Sequence, residues 1–302
     1  MVDVAEVKIW NELAGAIRWD ESQQLGYFQY DPSFIERGWD LSPIKMPIAQ
    51  GSRIYSFPEN RKGRNETEDT FKGLPGLLSD ALPDKYGNKL ISTWLSQQGR
   101  SENSMNPVEK LCFIGTRGVG AMEFEPAQIK TGIKTFSLEL NNLIELAKNI
   151  LNEREDFLTN LNEDEEKAMM EILKIGTSAG GARPKAVIGY NPKTKEIRSG
   201  QGNVPKGFEH WLLKLDGVSG EQFGESFGWG RVEYAYYLMA IDSGIEISEC
   251  QLLEENGRAH FMTKRFDRQD NTKHHVQSLC GLQHYDFNDM YGYSYEQVFQ
   301  TM

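Results

Sequence analysis

Ile175-Gly176-Thr177-Ser178-Ala179-Gly180-Gly181-Ala182-Arg183-Pro184-Lys185-Ala186 is the stretch on which the reading of this sequence turns. Gly176 and Gly181 have the spacing of the two glycines of a Walker A loop. Ala182 and Arg183, however, stand where that loop needs Lys and Ser/Thr, and PKAVIGY (Pro184 to Tyr190) follows as a strand where a helix should open. A P-loop is therefore excluded. Two readings stay open. The run is either a plain turn between strands, or a loop whose missing Cβ atoms let backbone amides approach phosphate oxygens.

The residues downstream bear on that choice. HWLLKLDG (His210 to Gly217) predicts a second strand, with Lys214 among large apolar neighbours. A lysine in that position either points to solvent from an edge strand or meets an anion, because an unpaired buried ammonium is costly. VEYAYYLMAIDSG (Val232 to Gly244) predicts a helix that ends at Gly244 and carries Val232, Ala235, Tyr236, Met239 and Ala240 on one face. Glu233, at its start, is placed to pair with Lys214. In CQLLEENGRAHFMTKRF (Cys250 to Phe266), Asn256-Gly257 between two strand-like runs predicts a tight hairpin. Glycine-rich turn, strand lysine and helix glutamate, in this chain order, form the small-lobe arrangement of a protein kinase. There the lysine holds the α- and β-phosphates and the glutamate orients the lysine. The hairpin ends in Met262-Thr263-Lys264-Arg265-Phe266-Asp267-Arg268, and in a kinase layout the end of that strand is the hinge whose backbone groups bond adenine.

Upstream, EVKIW and GYFQYD have strand composition. The segment from Phe71 to Gly99 begins with turn residues and becomes helical, with Leu90, Ile91, Trp94 and Leu95 at helical spacing and Gly99 at the C-cap. GTRGVGAMEFEP (Gly115 to Pro126) predicts a turn feeding a strand. Between Thr135 and Leu173 glycine disappears and two helical patterns follow each other. In the second of these, Asn162 can cap a first turn holding Glu163, Asp164, Glu165 and Glu166, which reads as a solvated helix start. The expected fold class is α+β: a strand-rich N-terminal domain over residues 1–130, then a second α+β unit over 131–302 that carries the kinase-like order of loop, strand and helix.

The 302 residues suffice for one large domain or two ordinary ones. With 33 Lys and Arg against 44 Asp and Glu, the net charge of −11 argues against direct binding to nucleic acid or anionic membrane. Cys112, Cys250 and Cys280 lie far apart without a CxxC pair, which gives neither a disulfide framework nor a zinc-binding pattern. The N-terminus has no basic segment followed by an apolar stretch, and no apolar run reaches bilayer length, so a cytoplasmic protein is expected.

The sequence resembles the HipA-type serine/threonine kinases of bacterial toxin–antitoxin modules over nearly its whole length. The carriers are GLPGLLSDALPDKYGNKLI (Gly73 to Ile91), IGTRGVGAMEFEP (Ile114 to Pro126), TSAGGARPKA (Thr177 to Ala186), WLLKLDG, the run Val232 to Arg268, and SLCGLQHYDFN (Ser278 to Asn288). The resemblance implies that the loop from Ser178 to Lys185 covers the nucleotide phosphates, with Ala179, Gly180, Gly181, Ala182 and Lys185 as its ATP-binding residues, that Lys214 contacts the phosphates and Glu233 orients Lys214, and that Lys264, Arg265 and Phe266 line the adenine site. It implies ATP and Mg²⁺ as cofactors and Ser178 as an autophosphorylated residue. A phosphoserine there would repel ATP. The implied partners are a small HipB-like helix-turn-helix antitoxin, through which DNA is reached indirectly, and a protein substrate of the translation apparatus, such as an aminoacyl-tRNA synthetase.

The family's catalytic base and Mg²⁺ ligands come from an N-x-D-D-H-x-K-N-like segment and a later Asp, and neither occurs in these residues. His284-Tyr285-Asp286-Phe287-Asn288 imitates a kinase catalytic loop but has the wrong Asp-to-Asn spacing, and the resemblance places it on a helix. The resemblance therefore implies a HipA-type N-terminal domain over 1–130 and, over 131–302, a kinase-like ATP-binding lobe with the first, incomplete part of a helical large lobe; the expectation is that the catalytic groups lie beyond Met302 and that this chain alone transfers no phosphate. The alternative is a catalytically dead nucleotide- or antitoxin-binding module.

Overall fold

The computed structural model describes residues 2–61, 69–101, 104–127, 140–151, 170, 172–173, 175–176, 183–218, 228–289 and 291–302. In chain order the main elements are β1 (Val4–Ile9), β2 (Glu12–Asp20), β3 (Leu25–Tyr30), α1 (Pro32–Arg37), α2 (Gly76–Ser79), α3 (Lys85–Gln97), α4 (Pro107–Ile114), β4 (Met122–Glu125), α5 (Leu140–Leu151), β5 (Lys185–Tyr190), β6 (Ile197–Ser199), β7 (Glu209–Lys214), α6 (Trp229–Asp242), β8 (Cys250–Glu255), β9 (Arg258–Lys264), α7 (Leu279–Gln283) and α8 (Tyr295–Thr301). The architecture is α+β with antiparallel sheets. Two compact units share the chain. One comprises Met1–Leu82, Met105–Lys130 and Lys273–Met302, and the other Pro83–Ser104 and Thr131–Thr272.

The first unit holds a sheet of order β3-β2-β1-β4. Its strands alternate buried and exposed residues, so one face supplies Val7, Ile9, Ile17, Phe28 and Tyr30 to the core, where Phe34 of α1 joins them. α4 starts at an Asn-Pro pair. The Asn106 side chain accepts from Glu109 N–H at 2.8 Å, and Pro107 spends no donor in the first turn.

Two of the segments that carry the family resemblance meet in this unit. α2 and α7 touch through glycine: a Cβ on Gly76 would overlap the carbonyl of Gly281, and a Cβ on Gly281 would overlap the Asp80 carboxylate. That carboxylate accepts from Ser278 N–H and Oγ–H, each at 2.7 Å, while Ser278 itself caps α7. Gly76 N–H donates to His284 Nε2 at 3.0 Å. Asp286 accepts from the Thr70 hydroxyl and from Asn288 N–H. The HYDFN piece is therefore a structural clasp. It lies in the turn past α7 and not on a helix as expected, because His284 adopts a left-handed φ of 57° that ends α7.

The second unit is built on a five-stranded antiparallel sheet of order β6-β5-β7-β9-β8. β5 is buried along its whole length, as befits a strand paired on both sides. Asn256 and Gly257, with φ of 51° and 77°, make the type I′ hairpin between β8 and β9. α6 enters the chain between β7 and β8. Its first turn presses on β9, where a Cβ on Gly230 would overlap the Ala259 carbonyl. The helix forms as expected, but its Val232, Tyr236 and Met239 face is exposed, and Gly230 is its buried residue. α3 and α5 belong to the same unit and pack on each other. The acidic run at 163–166 lies outside the described residues.

Candidate functional site

The pairing of β5 with β7 sets Lys185 directly opposite Lys214, so both side chains leave the same face of the sheet. Two ammonium groups at adjacent positions repel each other, and each is met by a carboxylate from a different helix. Asp84, the N-cap of α3, pairs with Lys185, and Glu233, in the first turns of α6, pairs with Lys214. Asp84 also accepts from Gly87 N–H at 2.7 Å, so one carboxylate starts the helix and neutralises the lysine.

The two pairs differ in burial. The Lys185 side chain is 1% exposed and that of Lys214 is 34% exposed. Burial pushes Lys185 below the ordinary lysine range, with Asp84 opposing that shift. Burial raises Asp84, with Lys185 opposing in turn. Lys214, by contrast, borders an open cleft with its Nζ 5.6 Å from the Phe261 ring centroid. Arg183, Asp216, Trp229 and Glu233 line the same cleft. The Arg183 guanidinium lies 4.2 Å from the Trp229 ring centroid. Asp216 is fixed from behind: its N–H donates to His260 Nδ1 at 2.8 Å, and its Oδ2 accepts from Ala259 N–H at 3.2 Å.

The KRFDR segment is arranged otherwise. Lys264 pairs with Glu209 at 2.7 Å. Arg265 is buried and forks onto Asp267, with Nε to Oδ1 at 2.8 Å and Nη2 to Oδ2 at 2.6 Å, and Arg268 donates to the same carboxylate at 2.7 Å. Arg265 N–H donates to the carbonyl of His210 at 2.9 Å, which anchors the segment to β7. The Phe266 ring is 70% exposed.

Of the residues nominated from sequence, Lys214 and Glu233 therefore come together in the cleft, and Lys185 shares their sheet face. Lys264, Arg265 and Phe266 do not line that cleft. Ser178, Ala179, Gly180, Gly181 and Ala182 lie outside the described residues. Sequence reasoning missed Asp84, Asp216 and Trp229; Arg183 lies in the Ser178 to Lys185 loop that the resemblance sets over the phosphates, without a role of its own. Asp84 had a signal, since Asp84 before Lys85 follows Pro83 and opens a helical run, which is an N-cap pattern. Among the described residues no group of three or more His, Cys, Asp or Glu side chains is placed to hold a metal ion, and no helix is long and apolar enough to cross a membrane.

Comparison with known families gives two matches. Residues 5–125 match the HipA N-terminal domain, and residues 177–302 match the HipA-like C-terminal domain. Among solved structures, the fold is similar to a chain in the complex of HipA, HipB and operator DNA from the Shewanella oneidensis MR-1 toxin–antitoxin system. The TM-score is 0.56 at 16% sequence identity, over 94% of this chain and 57% of that one. This chain thus spans little more than half the length of its structural relative. No curated protein matches it. With two HipA domains in succession over most of its sequence, and with that fold, the chain belongs to the HipA family.

Proposed function

We propose that these residues form the nucleotide-binding part of a HipA-type serine/threonine protein kinase, the toxin of a toxin–antitoxin pair. The observation that carries the reading is the Lys214–Glu233 pair, made between a central strand of an antiparallel sheet and a helix that enters after that strand. A kinase uses that pair to hold the phosphates of ATP. In this reading Lys214 meets the α- and β-phosphates, and Glu233 keeps the ammonium aimed into the cleft. Mg²⁺, when bound with ATP, would neutralise further phosphate charge. Ser178 is the expected self-modified residue, and a HipB-like helix-turn-helix protein the expected partner, carrying the acidic chain to DNA. The HipB and operator DNA in the relative's complex support that partnership.

No N-x-D-D-H-x-K-N-like segment lies within the 302 residues, so binding and not transfer is assigned to them. The test is thermal unfolding with and without millimolar Mg-ATP. Ligand at 100 times Kd stabilises the folded state by about 2.7 kcal/mol. Stabilisation that disappears in Lys214→Ala supports the reading, and a wild-type chain indifferent to Mg-ATP sinks it. Phosphate transfer to any protein by the isolated chain would overturn the division between binding and catalysis.

A further inference from the structure

Four cations nominated from the sequence are each held by a carboxylate: Lys185 by Asp84, Lys214 by Glu233, Lys264 by Glu209 and Arg265 by Asp267. Arg183 is different. Among the described residues its guanidinium makes no ion pair or hydrogen bond, and it lies over the Trp229 ring at the cleft that Lys214 borders. The chain aims it there. Leu215 N–H donates to the carbonyl of Pro184 at 3.0 Å, which carries the β5–β7 pairing past its last register pair, Lys185 with Lys214. Two residues before Lys185, Arg183 therefore returns to the sheet face of the two lysines. An aromatic face holds a guanidinium in place without using its five N–H donors, which leaves them for a planar or tetrahedral oxyanion.

We propose that Arg183, held by Trp229, is a second anion-binding group of this cleft and contacts the phosphate chain of a nucleoside triphosphate beside Lys214. The proposal rests on the nucleotide-binding reading and extends it, replacing buried Lys185 by Arg183 as the second cation on the phosphates. Lys185 then serves the fold through Asp84, and Trp229 is a positioning residue for Arg183.

The experiment measures binding of Mg-ATP, and separately of inorganic tripolyphosphate, to the full chain by calorimetry. The variants are Arg183→Gln, Arg183→Lys, Trp229→Ala, Lys214→Met and, as a control for lost charge, Arg231→Gln, whose guanidinium pairs with Glu254 at 2.8 Å. Loss of one charged contact weakens binding on the order of tenfold. Expected are roughly tenfold losses for both ligands in Arg183→Gln, partial recovery in Arg183→Lys, a smaller loss in Trp229→Ala and no change in Arg231→Gln. If Lys214→Met loses affinity while Arg183→Gln binds as wild type, Arg183 has no such role and the nucleotide reading survives. If tripolyphosphate binding depends on Arg183 but Mg-ATP does not bind, the anion site stands and the nucleotide reading falls. If wild type binds neither ligand, both are overturned. Folding of each variant is checked by its circular dichroism and its unfolding midpoint without ligand.

Discussion

Asp84→Asn separates two functions of one carboxylate. Asn caps a helix about as well as Asp, so the hydrogen bond from Gly87 and the start of α3 are retained. What is lost is the negative charge beside Lys185, whose side chain is 1% exposed. Breaking a buried ion pair from one side costs about 3–5 kcal/mol, because the remaining charge keeps its desolvation penalty without its counterion. Asp84 keeps 12% of its side chain exposed, so some water reaches the pair and the lower end, about 3 kcal/mol, is expected. Lys185→Met removes the buried ammonium, so the Asp84→Asn/Lys185→Met double variant should recover most of that loss. Urea unfolding of the four proteins at pH 7.5 closes the cycle. A loss under about 1 kcal/mol in Asp84→Asn, or a double variant no more stable than Asp84→Asn alone, would refute the argument that burial makes this pair costly to break.

Three further outcomes are expected. Burial, helped by the charge of Lys45, pushes His284 down from 6.5 to about 4. Between those values the unfolded chain takes up a proton that the folded chain refuses, so stability falls as pH drops from about 7 to 4, by up to about 3 kcal/mol from this group. Urea midpoints should fall over that range and fall less in His284→Asn, which tolerates the left-handed backbone; an unchanged slope would mean that the half-buried His284 does not stay neutral in the folded chain. Gly230→Ala should push α6 off β9 and abolish stabilisation by Mg-ATP, because the added methyl overlaps the Ala259 carbonyl; undiminished stabilisation would show that α6 can shift without losing the Lys214–Glu233 pair. Asp267→Asn should cost about 3 kcal/mol by removing the carboxylate shared by Arg265 and Arg268, and a denaturation curve like that of wild type would count against that buried triad.

The strands and the site were legible in the sequence to different degrees. Asn256-Gly257 announces its hairpin because both residues tolerate positive φ. The hairpin between β1 and β2 has the same left-handed pair, but its residues are Trp10 and Asn11, and Trp at such a position gives no turn signal. β2 itself was missed: its Ala14, Gly15 and Ala16 blur the alternation of large apolar residues that marks a strand. Asn106-Pro107 was a readable start for α4 and was overlooked. In the site, the Lys214–Glu233 pair followed from chain order alone. The partner of Lys185 could not follow in that way, since Asp84 is 101 residues away and reaches it only through the fold. Arg183 stood inside the quoted motif, yet its role depends on strand register and on the ring of Trp229, which periodicity does not encode.

The glycine contact between α2 and α7 also sets the order in which this protein can be made. The segments it joins are about two hundred residues apart, and the whole of the second unit is synthesised between them. On a ribosome the β1–β4 sheet can form early, but α2 waits with an exposed glycine face until Ser278 and Gly281 emerge. Contacts of such sequence separation slow folding, because the loop must close before they contribute. Translation speed beyond residue 130 should therefore govern how long the first unit stays open to proteases and chaperones.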